Sequence, residues 1–176
     1  MPSSLLGRQA AVSLSISSNI YSNARSIQAA DDRRYKGWVM VRRVLEVPQS
    51  SQVFQASRTG FDRFGYSPGV VSGGLLTLSG QVGVRPDGST AETVAEQAEW
   101  AFRRTIEILS WEGLTMADLV EVITYHVDVN NNLKEFIPVK NRYFEKPYPA
   151  WTLLGIDALA RPELKVEIVS VAALRR

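Results

Sequence analysis

The sequence has no cysteine and a single histidine among its 176 residues. Without cysteine there can be no disulfide, thiolate metal site or cysteine nucleophile. One histidine cannot build a histidine-rich metal site within one subunit, so we expect no bound metal. We also expect no cofactor. No apolar run approaches the ~18 residues that a membrane-spanning helix needs, and we expect no membrane partner.

Excess positive charge is also missing from most of the chain, although the pI is about 9.0. Residues 1–43 carry seven basic and two acidic side chains, whereas the rest carries 13 basic and 16 acidic ones, a balance of −3. A folded domain with that balance has no general electrostatic reason to bind a polyanion. We therefore expect no nucleic-acid partner.

The N-terminal part of the chain differs in composition from the rest. Residues 1–30 contain no acidic side chain and are rich in serine, which is typical of a mitochondrial transit peptide. A disordered segment and a start of translation at Met40 are the alternatives. We interpret residues 1–47 as an extension and residues 48–176 as one domain. A cytoplasmic location is expected, or a mitochondrial one if residues 1–39 are a transit peptide.

Short apolar segments bounded by glycine and proline predict a β-sheet in the domain. The segment 38–47 can add an edge strand or remain an extended arm. Alternating or β-branched residues predict strands at 52–56, 70–71, 75–79, 119–127, 151–154 and 165–171.

Two helices are expected between these strands. Ser89 and Glu92 match a capping box, and the apolar residues behind them recur at spacings of three and four as far as Gly113. Gly113 can end that helix in a left-handed cap. Pro138 fits a helix only within its first turn, so we expect the second helix to begin near residues 134–135.

The order of these elements predicts an α+β fold. Two helices would pack on one face of a single mixed sheet. The opposite face would remain open, and packing against other subunits would cover it.

Six short segments, in this order and spacing, resemble the YjgF/RidA superfamily from Gln52 to the C-terminus. They are Gly65–Gly69, Ser79–Gln81, Asp118–Val122, Val139–Tyr143, Pro149–Ala150 and Lys165–Ile168. The resemblance implies the chorismate-mutase-like YjgF fold and a homotrimer with a small-molecule pocket at each subunit interface. It also implies a hydrolase or deaminase that acts on reactive enamine and imine compounds.

The resemblance also implies roles for individual residues. In the family pattern an arginine after Pro-Ala grips the substrate carboxylate, and a glutamate on the last strand positions or activates water. Glu167 matches that glutamate, Tyr66 matches a second catalytic residue, and Gly80 matches a glycine that donates its backbone amide. Glu167 and Tyr66 are therefore the candidate catalytic residues.

The chain departs from the family pattern at the residue that grips the carboxylate. Trp151 occupies the arginine position, and tryptophan cannot supply a charged, bidentate donor pair. Lys140 stands where an asparagine is often found. We therefore expect an altered substrate specificity, with Trp151, Gly80, Lys140, His126 and Leu153 as candidate substrate-binding residues.

Alternatives remain for several of these residues. Trp151 either offers a stacking surface or fills the pocket, and Lys140 either replaces the lost charge or lies on the helix surface. His126 is either a structural residue or a proton carrier beside Glu167. For the whole protein, the alternatives to the hydrolase are a non-catalytic trimer that binds a small molecule and an endoribonuclease or translation inhibitor.

Overall fold

The structure is a computed structural model that describes residues 42–175. The greater part of the expected N-terminal extension, including the start of the segment 38–47, lies outside the described residues. Among those that are described, no helix is both long and apolar enough to cross a membrane.

One mixed sheet forms the centre of the domain. Its strands are β1 (Arg43–Val44), β2 (Gly69–Ser72), β3 (Leu75–Val82), β4 (Leu119–Val127), β5 (Ala150–Ile156) and β6 (Val166–Ala173). Their order across the sheet is β1-β2-β3-β6-β4-β5. Only β4 and β5 run parallel, and every other neighbouring pair is antiparallel. The single mixed sheet predicted from the sequence is confirmed.

Two long helices cover one face of this sheet, as predicted. A short helix, α1 (Arg58–Phe64), precedes them, and the long helices are α2 (Val94–Ser110) and α3 (Val129–Tyr143). Helix α2 lies against β3 and β6, whereas α3 lies against α2, β4 and β5. A 3-10 turn at Met116–Asp118 leads into β4.

Side chains that alternate along β6 define the two faces of the sheet. Val166, Ile168, Ser170 and Ala172 are buried under the helices, whereas the residues between them are only half-buried. We call these the covered face and the open face. Residues paired across neighbouring strands share a face, so the register assigns each candidate side chain to one of them.

The strand expected at 52–56 is wrong, because this segment forms turns. The Ser51 hydroxyl accepts a hydrogen bond from the Phe54 backbone N–H at 3.1 Å, and the Phe54 side chain is fully buried. A single buried aromatic residue in a turn can thus produce the same alternation of polar and apolar residues as a strand. The edge strand is instead β1, which pairs with β2 and fulfils the edge-strand alternative proposed for 38–47.

The capping box lies four residues later than predicted. The Thr93 hydroxyl accepts from the Glu96 backbone N–H at 3.1 Å, and the Glu96 carboxylate accepts from the Thr93 N–H. Ser89 instead donates its backbone N–H and its hydroxyl to the Asp87 carboxylate in the preceding turn. Both pairs have the same spacing, so the spacing alone could not distinguish them. Gly113 has the expected left-handed conformation, with φ of 67°, but the helix already ends at Ser110 and its C-cap is Trp111 in a right-handed conformation.

The start expected for the second helix is also wrong. Helix α3 begins at Val129, so Pro138 lies in its interior. The Asn131 side chain donates to the Asp128 carboxylate and the Asn132 side chain donates to the Val127 carbonyl, which fixes the earlier start. Pro138 is exposed, so water can reach the backbone carbonyl that its missing N–H leaves unpaired.

Candidate functional site

Glu167 lies on the open face, where β6 passes a bulge in β3. The pairing of β3 with β6 shifts between Leu78 and Gln81, and this shift brings Gly80 against the Glu167 side chain. A methyl group on Gly80 would overlap the Glu167 carboxylate, so a larger residue there would force the Glu167 side chain to move. Burial raises the pKa of Glu167. Within residues 42–175 no basic side chain forms an ion pair with it.

Tyr66 lies at the end of α1, close enough to Glu167 for their charges to interact. Gly65 ends the helix in a left-handed conformation, with φ of 68°, and Tyr66 follows with its ring 4.9 Å from that of Phe61. Burial raises the pKa of Tyr66, the Glu167 carboxylate adds to the rise, and the Arg104 guanidinium opposes it. We call Glu167, Tyr66 and Gly80 the glutamate cluster.

The sequence interpretation missed Arg104, a buried arginine next to this cluster. Its Nε donates to Gln81 Oε1 at 3.1 Å, its Nη1 donates to Ser57 Oγ at 3.2 Å, and the guanidinium lies 4.2 Å from the centre of the Phe54 ring. Burial lowers the pKa of Arg104 to about 10. The sequence feature that could have predicted its burial is its position in the apolar stripe of α2, three residues after the buried Ala101.

Trp151 lies on the covered face, at the edge of the sheet. It pairs with the buried Val122 of β4, and its indole Nε1 donates to Thr124 Oγ1 at 3.0 Å. The Lys140 ammonium of α3 lies 4.2 Å from the centre of the Trp151 ring and 5.3 Å from that of Phe144. Burial lowers the pKa of Lys140.

A cavity of about 200 Å³ opens beside this contact, and we call it the tryptophan pocket. Apart from one ammonium, its walls are aromatic or aliphatic. They consist of Val122, Lys140, Phe144, Tyr148, Pro149 and Trp151. Leu153 lies two residues along β5 on the same face, half-buried and outside the cavity lining.

His126 is fully buried on the covered face, with its ring perpendicular to Phe136 at 4.6 Å. Neither ring nitrogen has a hydrogen-bond partner among the described residues, and burial lowers the pKa of His126 to about 4. Glu167 pairs with Tyr125, the preceding residue on β4, and so lies on the other face. The alternative of a proton carrier beside Glu167 therefore has no support within one chain.

The candidate residues thus form two groups on opposite faces of the sheet. The glutamate cluster supplies a carboxylate and a phenol, and the tryptophan pocket supplies aromatic walls and one ammonium. No group of three or more metal-ligating side chains occurs within the part of the chain that the structure describes. The chemistry available is proton transfer at Glu167 and Tyr66, together with recognition of an apolar or anionic ligand beside Trp151.

Comparisons with known proteins find matches along most of the domain. Residues 62–174 match the model of the family described as endoribonuclease L-PSP. The chain is similar to the RutC family protein YjgH of Escherichia coli, with 33% identity over 124 residues, which cover 69% of this chain and 95% of that protein. It is also similar to the Schizosaccharomyces pombe protein mmf2, mitochondrial, with 30% identity over 61% of this chain and 86% of that one.

A solved structure of a YjgF-family member from Mycobacterium tuberculosis matches the fold. The match has a TM-score of 0.61 and 27% identity, and it covers 76% of this chain and 100% of that one. A solved structure of protein YjgH matches with a TM-score of 0.63 and 34% identity, covering 72% and 97% of the two chains. Both matches confirm the fold that the sequence motifs predicted.

Proposed function

The chain belongs to the endoribonuclease L-PSP family, which is the YjgF/RidA family, and from this premise we propose that it hydrolyses the C–N bond of a reactive enamine or imine. The observation that carries the proposal is the Glu167 carboxylate. It is half-buried against Gly80 with a raised pKa and has no basic partner in the described part of the chain. A carboxylate in this condition is suited to accept a proton from water.

The proposed reaction adds water across the C=N bond. Glu167 takes a proton from water as the oxygen attacks the imine carbon, and the Tyr66 hydroxyl supplies a proton to the nitrogen. In the resulting carbinolamine, protonated Glu167 returns its proton to the nitrogen while the hydroxyl gives its proton to the Tyr66 phenolate. The C–N bond then breaks as the C=O bond forms, so that one imine and one water give one carbonyl compound and one ammonia, and both side chains regain their starting protonation states.

We also propose that the active unit is a homotrimer. Within residues 42–175 no helix covers the open face of the sheet, and this face presents Leu75 and Leu154 exposed, with Val169 and Val171 half-buried. Contact with neighbouring subunits would bury this apolar surface. The glutamate cluster and the tryptophan pocket lie on opposite faces of one chain, so a shared cavity would need residues from two chains.

The test is ammonia release from imines generated in solution by an amino-acid oxidase. We expect the wild-type protein to accelerate release and Glu167→Gln to lower the rate by roughly 10²–10⁴-fold, the usual contribution of a general base. Glu135→Gln, at an exposed position of α3, is the matched control and should match the wild type. Equal rates for wild type and Glu167→Gln would reject the hydrolase in favour of the non-catalytic small-molecule-binding trimer.

The pH dependence of the same assay gives a second test. Because the pKa of Glu167 is raised, the loss of activity on acidification should begin above the usual range of a glutamate. The endoribonuclease alternative receives no support from the geometry, because His126 is buried on the face opposite Glu167. A cytoplasmic location stays our proposal, and mitochondrial import is the alternative that the name of the S. pombe relative raises.

A further inference from the structure

The tryptophan pocket contains a positive charge without a compensating negative one. Among the described residues, Lys140 forms no ion pair, whereas Arg142 on the same helix pairs with Glu99 at 2.9 Å. Lys140 is also only half-exposed, between two aromatic rings. An ammonium held in this way retains the capacity to bind one anion.

Aromatic contacts hold the ammonium in place. The Trp151 indole is fixed by its hydrogen bond to Thr124, and the Lys140 ammonium lies 4.2 Å from its ring centre. A cation over an aromatic face is attracted by the ring without being neutralised. The side chain thus loses less conformational freedom when a ligand binds than a free surface lysine would.

The size of the pocket limits the ligand. Its volume is about 200 Å³, and an apolar cavity of about 150 Å³ can hold benzene. One six-membered ring with a small substituent therefore fits. A small aliphatic acid would leave the walls formed by Phe144, Tyr148 and Pro149 unfilled, and a phosphate dianion would meet only one cation.

We propose that the tryptophan pocket binds a small aromatic monoanion, whose ring packs against Trp151 and Tyr148 and whose carboxylate pairs with the Lys140 ammonium. The ligand class follows from the aromatic walls, the single cation and the volume. The inference rests on the proposed function only in that this ligand would be the substrate or product of the C–N hydrolysis. Binding itself needs neither Glu167 nor a reaction.

The experiment is calorimetric titration of the full chain with benzoate, with benzamide as its uncharged counterpart and acetate as its non-aromatic one. We expect benzoate to bind at least about tenfold more tightly than either, since a charge-assisted hydrogen bond and ring burial each contribute about that factor. Lys140→Gln should weaken benzoate binding about tenfold and leave benzamide unchanged. Lys140→Arg should restore most of the benzoate affinity.

Lys134→Gln is the matched control, because Lys134 is exposed on the same helix and lies outside the pocket. It should bind benzoate as the wild type does. Quenching of Trp151 fluorescence, read as the difference between wild type and Trp151→Phe, locates the ligand. Equal affinities for benzoate and benzamide, or benzoate binding that survives Lys140→Gln unchanged, would overturn the inference.

Failure of this inference and failure of the proposed function give different results. Benzoate binding to wild type and Glu167→Gln, with no ammonia release from any imine, would reject the hydrolase and support the aromatic-anion pocket. Glu167-dependent ammonia release without benzoate binding would support the hydrolase and overturn the pocket's ligand class.

Discussion

The glutamate cluster and the tryptophan pocket differ in how closely they follow the family pattern. At the glutamate cluster the chain keeps the glutamate, tyrosine and glycine of the pattern, and the structure brings all three together. At the tryptophan pocket it replaces the arginine by Trp151 and presents Lys140 over the new ring. The difference teaches that this chain keeps the residues for which we propose proton transfer and departs from the pattern at those for which we propose ligand recognition.

We expect the largest effect on activity from Gly80→Ala, which changes the glutamate cluster and leaves the tryptophan pocket intact. The added methyl group would overlap the Glu167 carboxylate and displace it from the site. We expect ammonia release to fall by roughly 10²–10⁴-fold, as for loss of the general base. Gly60→Ala is the control, since nothing lies within 4 Å of a methyl group there. A fully active Gly80→Ala variant would show that Glu167 does not need its present position.

The next largest effect is on the pH dependence of stability and comes from His126, which packs against Phe136 behind the tryptophan pocket. Its pKa falls from 6.5 to about 4 in the folded protein, so the unfolded chain binds more protons between these values. Stability is therefore retained above pH 6.5 and lost as the pH falls to 4, by up to about 3 kcal/mol.

Urea unfolding of wild type and His126→Leu across this pH range measures that contribution. The variant should lose less stability on acidification than the wild type does. Parallel curves for the two proteins would mean that His126 is hydrated or hydrogen-bonded in solution.

Trp151→Arg tests the tryptophan pocket by restoring the family residue. The new guanidinium can form a bidentate pair with a carboxylate, but it loses the indole surface and lies close to Lys140. We expect KM for a small aliphatic 2-imino acid to fall about tenfold and benzoate affinity to fall by a similar factor. Trp100→Arg, outside both sites, should change neither value. An unchanged preference between the two ligands would show that Trp151 does not determine specificity.

The smallest effect is expected from Arg104→Met, which changes the field at the glutamate cluster without touching Glu167. Since the Arg104 charge opposes the rise in the Tyr66 pKa, its removal should raise that pKa further. Ultraviolet titration of the phenolate, with Tyr66→Phe as the reference, measures the change. Arg103→Met, at the neighbouring exposed position of α2, should leave the Tyr66 part of the titration as it is, although Arg103 also acts on the pKa of Tyr143. A Tyr66 titration that does not respond to Arg104→Met would contradict this account.

The sequence predicted most of the sheet, because β-branched residues and glycine turns determine strands locally. The strand at 119–127 is confirmed residue for residue, and Gly73 and Gly74 both adopt positive φ in the turn before β3. The start of α3 could not be derived in this way. It depends on side-chain hydrogen bonds of Asn131 and Asn132, which overcome the preference of Pro138 for a first turn.

The candidate site was only partly predictable, for a similar reason. Motif positions identified Glu167, Tyr66 and Gly80, because each residue type has its own place in the pattern. The contact of Lys140 with Trp151 joins a helix to a strand, and no local spacing reports on such a pair. The burial of Arg104 likewise depends on Gln81 and Phe54, which lie far from it in the sequence.

The contact between Gly80 and Glu167 has a consequence for how this protein can evolve. A side chain at position 80 would overlap the Glu167 carboxylate in its present position. Replacement of Glu167 by a shorter residue removes this overlap, and position 80 is then free to accumulate substitutions. Among relatives, the glycine should therefore persist in lineages that keep the glutamate and vary in those that have lost it, so that the two positions change together.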